Sequence, residues 1–504
     1  MKILITQLTL LMAVLMLAVV TTRAQVYSDL HSFSSPGFDT SNNELTNSDG
    51  SEPYAGLVMS GDVLYGTTFA GGTNGYGTVY RVNLDGTDFT NLHTFANLSF
   101  YPGGINSDGA NPHASLALSG GVLFGTASEG GSNGYGSVFR LNTDGTDFTN
   151  LHSFSLGSDG INPSGGLLVS GNTLYGTAPY GGTGSGAGTV FKLNLDGTGY
   201  MTMHSFSGGT NDGGYPNGGL IISGGTLFGM TSSGGGALGR GVIFALSTNA
   251  TGNGSGYTNL YVFTGNSIPA TTTTNASGET PIANLVIAGN TLYGTTPHGG
   301  TNGNGIVFAI HTDGTDFTNL HTFGFADYDE PNGGYTNSDG AYPECTLILS
   351  GSTLYGTTAS GGNQVSIGGS DGNGTVFSIS TNGTDFTTLY GFISIFLISN
   401  TISFTGGSSP ASGVILSGNT LYGTTFTGGN AIGNVYALTL PATAPIPLNA
   451  QVTGGLLTLS WNSSAFTLQS APSLGTAFTN VSGANSPYTV STTNSRQFFR
   501  LESN

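Results

Sequence analysis

Cysteine is nearly absent from this 504-residue chain: Cys345 stands alone, which excludes an intramolecular disulfide and any metal cluster built on several thiolates. Charge is scarce too, at 7% of residues, and basic charge is scarcest, with 8 Lys and Arg against 26 Asp and Glu and a formal net charge of −18. Phosphate backbones are bound through clusters of Lys and Arg, so nucleic acid is excluded as a partner. Tryptophan occurs once, at Trp461. Long apolar runs are missing except for one, from Leu8 to Val20, which follows Lys2 and precedes Thr22-Arg23-Ala24. That run is shorter than the roughly 20 residues a membrane span needs, and it reads as the core of a secretory signal cleaved after residue 24. The chain is therefore expected to be exported, with no membrane span left after processing and no Lys2 or Arg23 to offset its acidity. Helical periodicity is missing throughout the rest.

Glycine, by contrast, abounds, with 86 residues, and it is patterned. The tripeptide Leu-Tyr/Phe-Gly recurs seven times, with its glycine at Gly66, Gly125, Gly176, Gly229, Gly294, Gly356 and Gly423. Repetition at this length scale is the mark of a solenoid or a propeller. In the first copy, residues 55–60 and 63–69 alternate apolar and polar around the tight turn Gly61-Asp62. The loop GGTNGYG (71–77) leads to a third strand at 78–83, and Asp85-Gly86 turns the chain into a fourth at 89–95. The fourth strand carries its own signature, FTNLHTF, repeated as FTNLHSF from Phe148 and FTNLHTF from Phe317, with looser copies ending at Phe206, Phe263 and Phe392.

The seventh copy lacks a fourth strand, since residues 434–440 run straight into Pro441. The missing strand lies at the other terminus, where residues 27–33 read YSDLHSF with no earlier strands before them. Moving one strand from the end to the beginning is the arithmetic of a closed ring, and an open array would need capping repeats instead. The fold expected is all-β: a seven-bladed β-propeller over residues 25–441, closed by an N-terminal strand. A Pro-rich linker (442–448) and a small β-sandwich-like module (449–504), with a role in sorting or attachment, follow it.

The blocks SGNTLYGTA, GGTNGNGIVF and DGTDFTNLHTF resemble the Gloeo/Verruco (GloVer) tandem repeat of secreted bacterial proteins that differ mainly in their C-terminal anchor. The likeness covers about residues 27–441. It implies an extracytoplasmic propeller-like protein and transfers no catalytic residue.

On a propeller, the blade-to-blade connections and the loops between strands two and three emerge on one face. The connections 34–54, 96–113 and 324–343 are long, and long loops on a rigid scaffold are where binding sites sit. Each connection ends in Gly-x-x-Pro, preceded in five copies by Asp49, Asp108, Asp159, Asp212 or Asp339. These aspartates are read either as plain Asp-Gly turns or as a ring of carboxylates around the channel mouth. Tyr54, Tyr101, Tyr215, Tyr328, Tyr335 and Tyr342 supply stacking or contact residues on the same face.

A second candidate is the turn Asn-x-Asp-Gly-Thr-Asp, with Asn83, Asp85 and Asp88 in one blade and Asn142, Asp144 and Asp147 in the next. Alternating oxygen ligands around a glycine suit calcium, although Asp-Gly is also a preferred hairpin turn. The glycine loops open strands, so they are not phosphate loops. Five histidines, His31, His93, His152, His204 and His321, share one repeat position, which Tyr261 and Tyr390 take in the other two blades; a ring places them too far apart to share a metal.

The function expected is a monomeric, non-catalytic, secreted or cell-surface scaffold that binds a carbohydrate or a surface protein on its long-loop face. The rival is a polysaccharide-degrading enzyme that would use acids such as Asp327, Asp329, Glu330 and Asp339 at the channel mouth.

Overall fold

The computed structural model of the chain describes residues 25–504 except 41–43, 100–103, 253–254, 265–274, 325–326, 330–333, 363–372, 393–396, 399–400, 403–406, 411, 429–431, 442–448, 454–455, 461–465, 472–478, 482–486, 492–497 and 504. The leader, the Pro-rich spacer, Tyr101, Glu330 and Trp461 lie outside the described residues. No helix among the described residues is long and apolar enough to cross a membrane. Compact units form over Val26–Thr439 and over Leu440–Asn504.

The first unit is a ring of seven antiparallel four-stranded sheets. Blade 1 runs Val58–Ser60, Val63–Thr68, Thr78–Asn83, Thr90–Thr94, each strand pairing with the next. Blade 7 consists of Ile415–Ser417, Thr420–Thr425 and Asn434–Thr439, with Val26–Ser32 as its fourth strand. Val26 pairs with Thr439 and Ser32 with Asn434, so the first described strand and the last strand of the ring lie side by side. The seven-bladed propeller closed by its N-terminal strand is the fold the repeat count implied.

The core lies between blades. The last phenylalanine of each fourth-strand motif, from Phe33 to Phe392, is buried and turns its edge to the third-strand ring of the next blade: Phe33 to Tyr80 at 5.4 Å, Phe95 to Phe139 at 5.4 Å, and so round to Phe392 and Tyr436 at 5.3 Å. The Leu-Tyr/Phe-Gly glycine is small for the same reason. A Cβ on Gly125 would stand 2.5 Å from the Phe139 ring, which lies across it.

The innermost strands are shorter than the sequence suggested. Residues 55–57 leave the ladder because they answer to the neighbouring blade: the Gly56 N–H donates to Ser115 Oγ (2.9 Å).

The second unit holds two three-stranded antiparallel sheets. One contains Asn449–Thr453, Leu456–Ser460 and Tyr488–Ser491, the other Phe466–Ala471, Thr479–Asn480 and Phe498–Ser503. Leu459 and Leu468 are buried in them.

Candidate functional site

The five Asp-Gly aspartates come first, because the structure does not set them around the channel. Each lies beside the histidine of an outermost strand: His31 and Asp49 at 3.1 Å, His93 and Asp108 at 2.9 Å, His152 and Asp159 at 3.5 Å, His204 and Asp212 at 3.1 Å, His321 and Asp339 at 3.0 Å. The same carboxylates accept backbone N–H groups from the start of the following loop, Ser34 on Asp49 (3.0 Å), Ser207 on Asp212 (2.7 Å) and Gly324 on Asp339 (2.9 Å). Burial alone would raise the Asp49 and Asp212 carboxyls, but the bonds from His31 and Ser34, and from His204 and Ser207, outweigh it and hold both below the usual range. In the longest pair, burial pulls His152 below its ordinary value against the attraction of Asp159.

Each of these histidines also lies flat on an aromatic ring of the next blade: His31 on Phe89 (centroids 3.5 Å), His93 on Phe148 (3.7 Å), His152 on Tyr200 (3.7 Å), His204 on Tyr257 (4.2 Å), His321 on Phe386 (3.7 Å). Tyr261 on Phe317 (4.0 Å) and Tyr390 on Tyr27 (4.8 Å) complete seven stacked pairs between the outermost strands of neighbouring blades. Aspartate fixes the imidazole edge and the neighbouring blade covers its face. Such a pair fastens blades together.

A second seam runs around the loop face. The residue before each Gly-x-x-Pro proline holds positive φ in all seven copies: Glu52, Asn111, Asn162, Tyr215, Thr280, Tyr342 and Ser409, at 52° to 59°. A side chain pays for that conformation. In return its N–H donates across the seam, Asn111 to the Tyr76 carbonyl at 2.9 Å and Tyr215 to that of Ala187 at 2.7 Å. The proline then seats on a glycine of the preceding blade: a Cβ on Gly136 (φ +100°) would stand 2.6 Å from Pro163 Cδ. Tyr215 and Tyr342 are therefore backbone clips first. Their rings reach outward to Tyr180 (5.6 Å) and His298 (5.4 Å). Tyr328 lies in the strand Asp327–Asp329, which also carries the acids Asp327 and Asp329, and Tyr335 lies in the paired strand Gly334–Ala341.

The turn at Asn83 closes on itself. Asp85 Oδ1 accepts the Thr87 N–H (3.0 Å) and hydroxyl (2.6 Å), while Asn83 Nδ2 donates to Thr87 Oγ1 (2.9 Å) and Asp88 Oδ2 (3.0 Å). Asn142, Asp144 and Asp147 repeat the arrangement around Thr146. No cluster of three His, Cys, Asp or Glu side chains fit to hold a metal occurs among the described residues.

The ring axis holds a cavity of about 580 Å³ lined by residues from all seven blades. Its rim takes the residue that follows each proline: Tyr54, His113, Ser164, Asn217, Ile282 and Glu344, with residue 411 of the seventh blade outside the described set. Of the tyrosines singled out from the sequence, Tyr54 lines this cavity. It stacks between Phe426 (4.4 Å) and His113 (5.0 Å), with Phe69 edge-on at 5.6 Å. Glu344, from blade 6, is the single carboxyl in the lining among the described residues; burial pushes it above the ordinary glutamate value. Burial lowers His113 in the same way. Sequence reasoning passed over His113 and Glu344 because the position differs in every blade. The recurring proline one residue earlier was the available signal.

These features can be set beside known proteins. No curated protein matches the sequence. Solved structures similar to the chain include PorZ, a bacterial surface component of the type-IX secretion system of Porphyromonas gingivalis (12% identity, 90% of this chain and 55% of that one, TM-score 0.42). An oligogalacturonate lyase in complex with manganese is similar at 10% identity (83% and 97% covered, TM-score 0.42), and TolB from Acinetobacter baumannii at 13% (61% and 58% covered, TM-score 0.33). The chain thus spans little more than half the length of PorZ or TolB. The family model described as the Gloeobacter/Verrucomicrobia repeat matches residues 97–275 and again 271–445. Two adjoining matches cover more than half of the sequence, and the chain belongs to the Gloeobacter/Verrucomicrobia repeat family.

Proposed function

We propose that this protein is a non-catalytic binding scaffold, secreted or held at the cell surface, whose ligand is a carbohydrate taken at the mouth of the central channel. The observation that carries the reading is the cavity of about 580 Å³ on the ring axis, whose lining includes Tyr54, His113 and Glu344. A tyrosine hydroxyl and a carboxylate exchange hydrogen bonds with sugar hydroxyls, and the edges of aromatic rings beside them give the apolar part of such a site. The export leader read at residues 1–24 and the secreted character of the similar repeat proteins support the location.

In this reading Asp49, Asp108, Asp159, Asp212 and Asp339, each paired with a histidine of an outermost strand, serve the scaffold between blades. Hydrolysis by paired carboxyls would need two acids a few ångströms apart, and the cavity lining carries one among the described residues. A glycan array probed with the full chain, followed by product analysis, tests the proposal. Binding without new reducing ends is expected, weakened roughly tenfold by Tyr54→Ala. Release of reducing ends would make the protein a hydrolase instead.

A further inference from the structure

We infer that the loop face carries a protein-docking site beside the channel, formed by the paired strands Gly37–Asp39 and Glu44–Thr46 and a cavity next to them, and that its partner presents an apolar side chain flanked by lysine or arginine. The inference is independent of the carbohydrate reading, which concerns the channel.

In the connection from blade 7 to blade 1, Phe38 stands directly opposite Leu45 in the ladder. Directly opposed residues share one face of a hairpin, and this face is uncovered: Phe38 is 60% exposed and Leu45 55%. The seam between blades does not need these strands. It is bridged by Ser51 and Ala70, and the shorter connection into blade 3 makes the same bridge, Ile161 with Tyr180, without a hairpin among its described residues. Beside the hairpin lies a cavity of about 350 Å³, to which Pro36, Leu45, Phe69, Tyr76 and Ile432 supply the apolar wall. That volume falls at the lower end of the roughly 300–1,000 Å³ of small-ligand pockets, and it has room for an inserted side chain. An exposed apolar pair continuous with an apolar cavity is the form in which a protein surface receives an anchor from a partner.

The remaining walls set the partner's charge. Glu44, Glu52 and Glu129 line the cavity, and neither Lys nor Arg does among the described residues. Glu44 accepts the Tyr76 hydroxyl at 2.8 Å, and burial, together with Glu44 and Glu129, pushes that phenol up to about 12. Both carboxylates therefore stand close to a ring of the cavity wall. An anionic partner would set like charge against like, and so would a second copy of this chain, whose net charge is −18. Lysine or arginine beside the anchor meets opposite charge instead, which speeds encounter and fixes register. The side chains of Phe38 and Leu45 have no group to bond a saccharide's hydroxyls, whereas an apolar side chain asks for none.

The test is selection of a phage-displayed random dodecapeptide library on the full chain, followed by fluorescence anisotropy of the enriched peptides. Enriched sequences are expected to carry an aromatic or branched aliphatic residue between Lys or Arg, and to bind Phe38→Ser/Leu45→Ser at least about tenfold more weakly than the native chain. Both residues are exposed, so that variant should melt with the native chain. Glu52→Gln/Glu129→Gln should weaken binding and flatten its fall with rising salt. A chain of net charge −18 draws any basic peptide, so lysine peptides without an apolar anchor that bind as well as the enriched ones overturn the inference. An affinity unchanged in Phe38→Ser/Leu45→Ser overturns it too, as does the absence of any enrichment. A dimer in sedimentation that the same variant dissolves would give the surface to a second copy and overturn the basic partner. Carbohydrate binding at the channel should be unchanged in this variant, so either reading can fail alone.

Discussion

The seams between blades and the mouth of the channel are built from adjacent residues, yet they follow opposite rules. Along a seam every copy does the same thing: a residue with φ near +55°, a proline seated on a glycine, a phenylalanine edge on the next blade's ring. One residue further on, at the rim, the copies diverge into Tyr54, His113, Ser164, Asn217, Ile282 and Glu344. A seam residue faces another copy of the same motif, so its partner is fixed by the repeat. A rim residue faces the axis, where nothing in the repeat constrains it. Repetition within one chain thus separates what holds the ring from what is free to meet a ligand.

If that division is right, seam changes should damage stability far more than rim changes. The largest effect is expected from deleting residues 25–33, which removes the fourth strand of blade 7, the buried Phe33 and the stack of Tyr27 on Tyr390. Cooperative thermal unfolding should disappear, and a deletion variant that still melts sharply would show that the ring does not need this latch. Phe33→Ala alone should cost about 3–5 kcal/mol, against about 1 kcal/mol for the half-buried Tyr54 of the rim. A finer comparison uses two glycines. Gly136 and Gly184 both hold positive φ, 100° and 85°, but a Cβ meets Pro163 at the first and nothing within 4 Å at the second. Alanine at Gly184 should cost about 1 kcal/mol for the backbone alone, and alanine at Gly136 about 2 kcal/mol more for crowding against Pro163 and the Ala127 carbonyl, both 2.6 Å from its Cβ. Equal costs in denaturant titrations would remove the seam contact from the account.

The same division explains what could be read from the sequence. The ring and its latch were legible because YSDLHSF matches FTNLHTF wherever it stands, and strand pairing follows the match. The histidines were legible as structural because a ring keeps them apart. Their aspartates were not, for a reason of spacing: Asp49 lies 18 residues after His31, Asp108 lies 15 after His93, and Asp212 lies 8 after His204. Loop length varies while the contact does not. The clue that survives variable loops is co-occurrence, for the two blades with Tyr261 and Tyr390 in place of histidine also lack the aspartate. Ser277 stands opposite Tyr261 instead and bonds its hydroxyl. Glu344 had no such clue, since a position that differs in every copy carries no pattern.

The buried carboxyls and imidazoles make a prediction in pH. Asp49 and Asp212 titrate below their ordinary value, so they stabilise the fold above about pH 4 and lose that contribution as pH falls through their lowered values. His152, His113 and His298 are lowered by burial, so the fold prefers them neutral; their contribution is full above about pH 6.5 and declines as pH falls from there. Melting temperature should therefore drop in two stages on acidification, a first below about pH 6.5 and a second below about pH 4. His152→Phe, which keeps a ring against Tyr200, should shrink the first stage and leave the second. A melting temperature unchanged between pH 7.5 and pH 5 would count against the burial of these imidazoles.

The smallest effect is expected where the sequence offered calcium. For Asn83, Asp85 and Asp88 to ligate a cation, Asn83 would have to turn its amide oxygen inward and Asp85 Oδ1 would have to give up both bonds from Thr87. Four internal hydrogen bonds would be exchanged for a site with three oxygen side chains, when calcium takes six or more ligands. The turn is satisfied as it stands, and its Asp-Gly suits a hairpin without help. Melting curves in millimolar calcium and in excess EDTA should then agree within about 1 °C, whereas a ligand at a hundred times its Kd adds about 2.7 kcal/mol and shifts the curve by several degrees. A shift of that size, present in the native chain and lost in Asn83→Ala/Asn142→Ala, would return the cation to these turns and make the turns between third and fourth strands, rather than the seams alone, a source of the ring's stability.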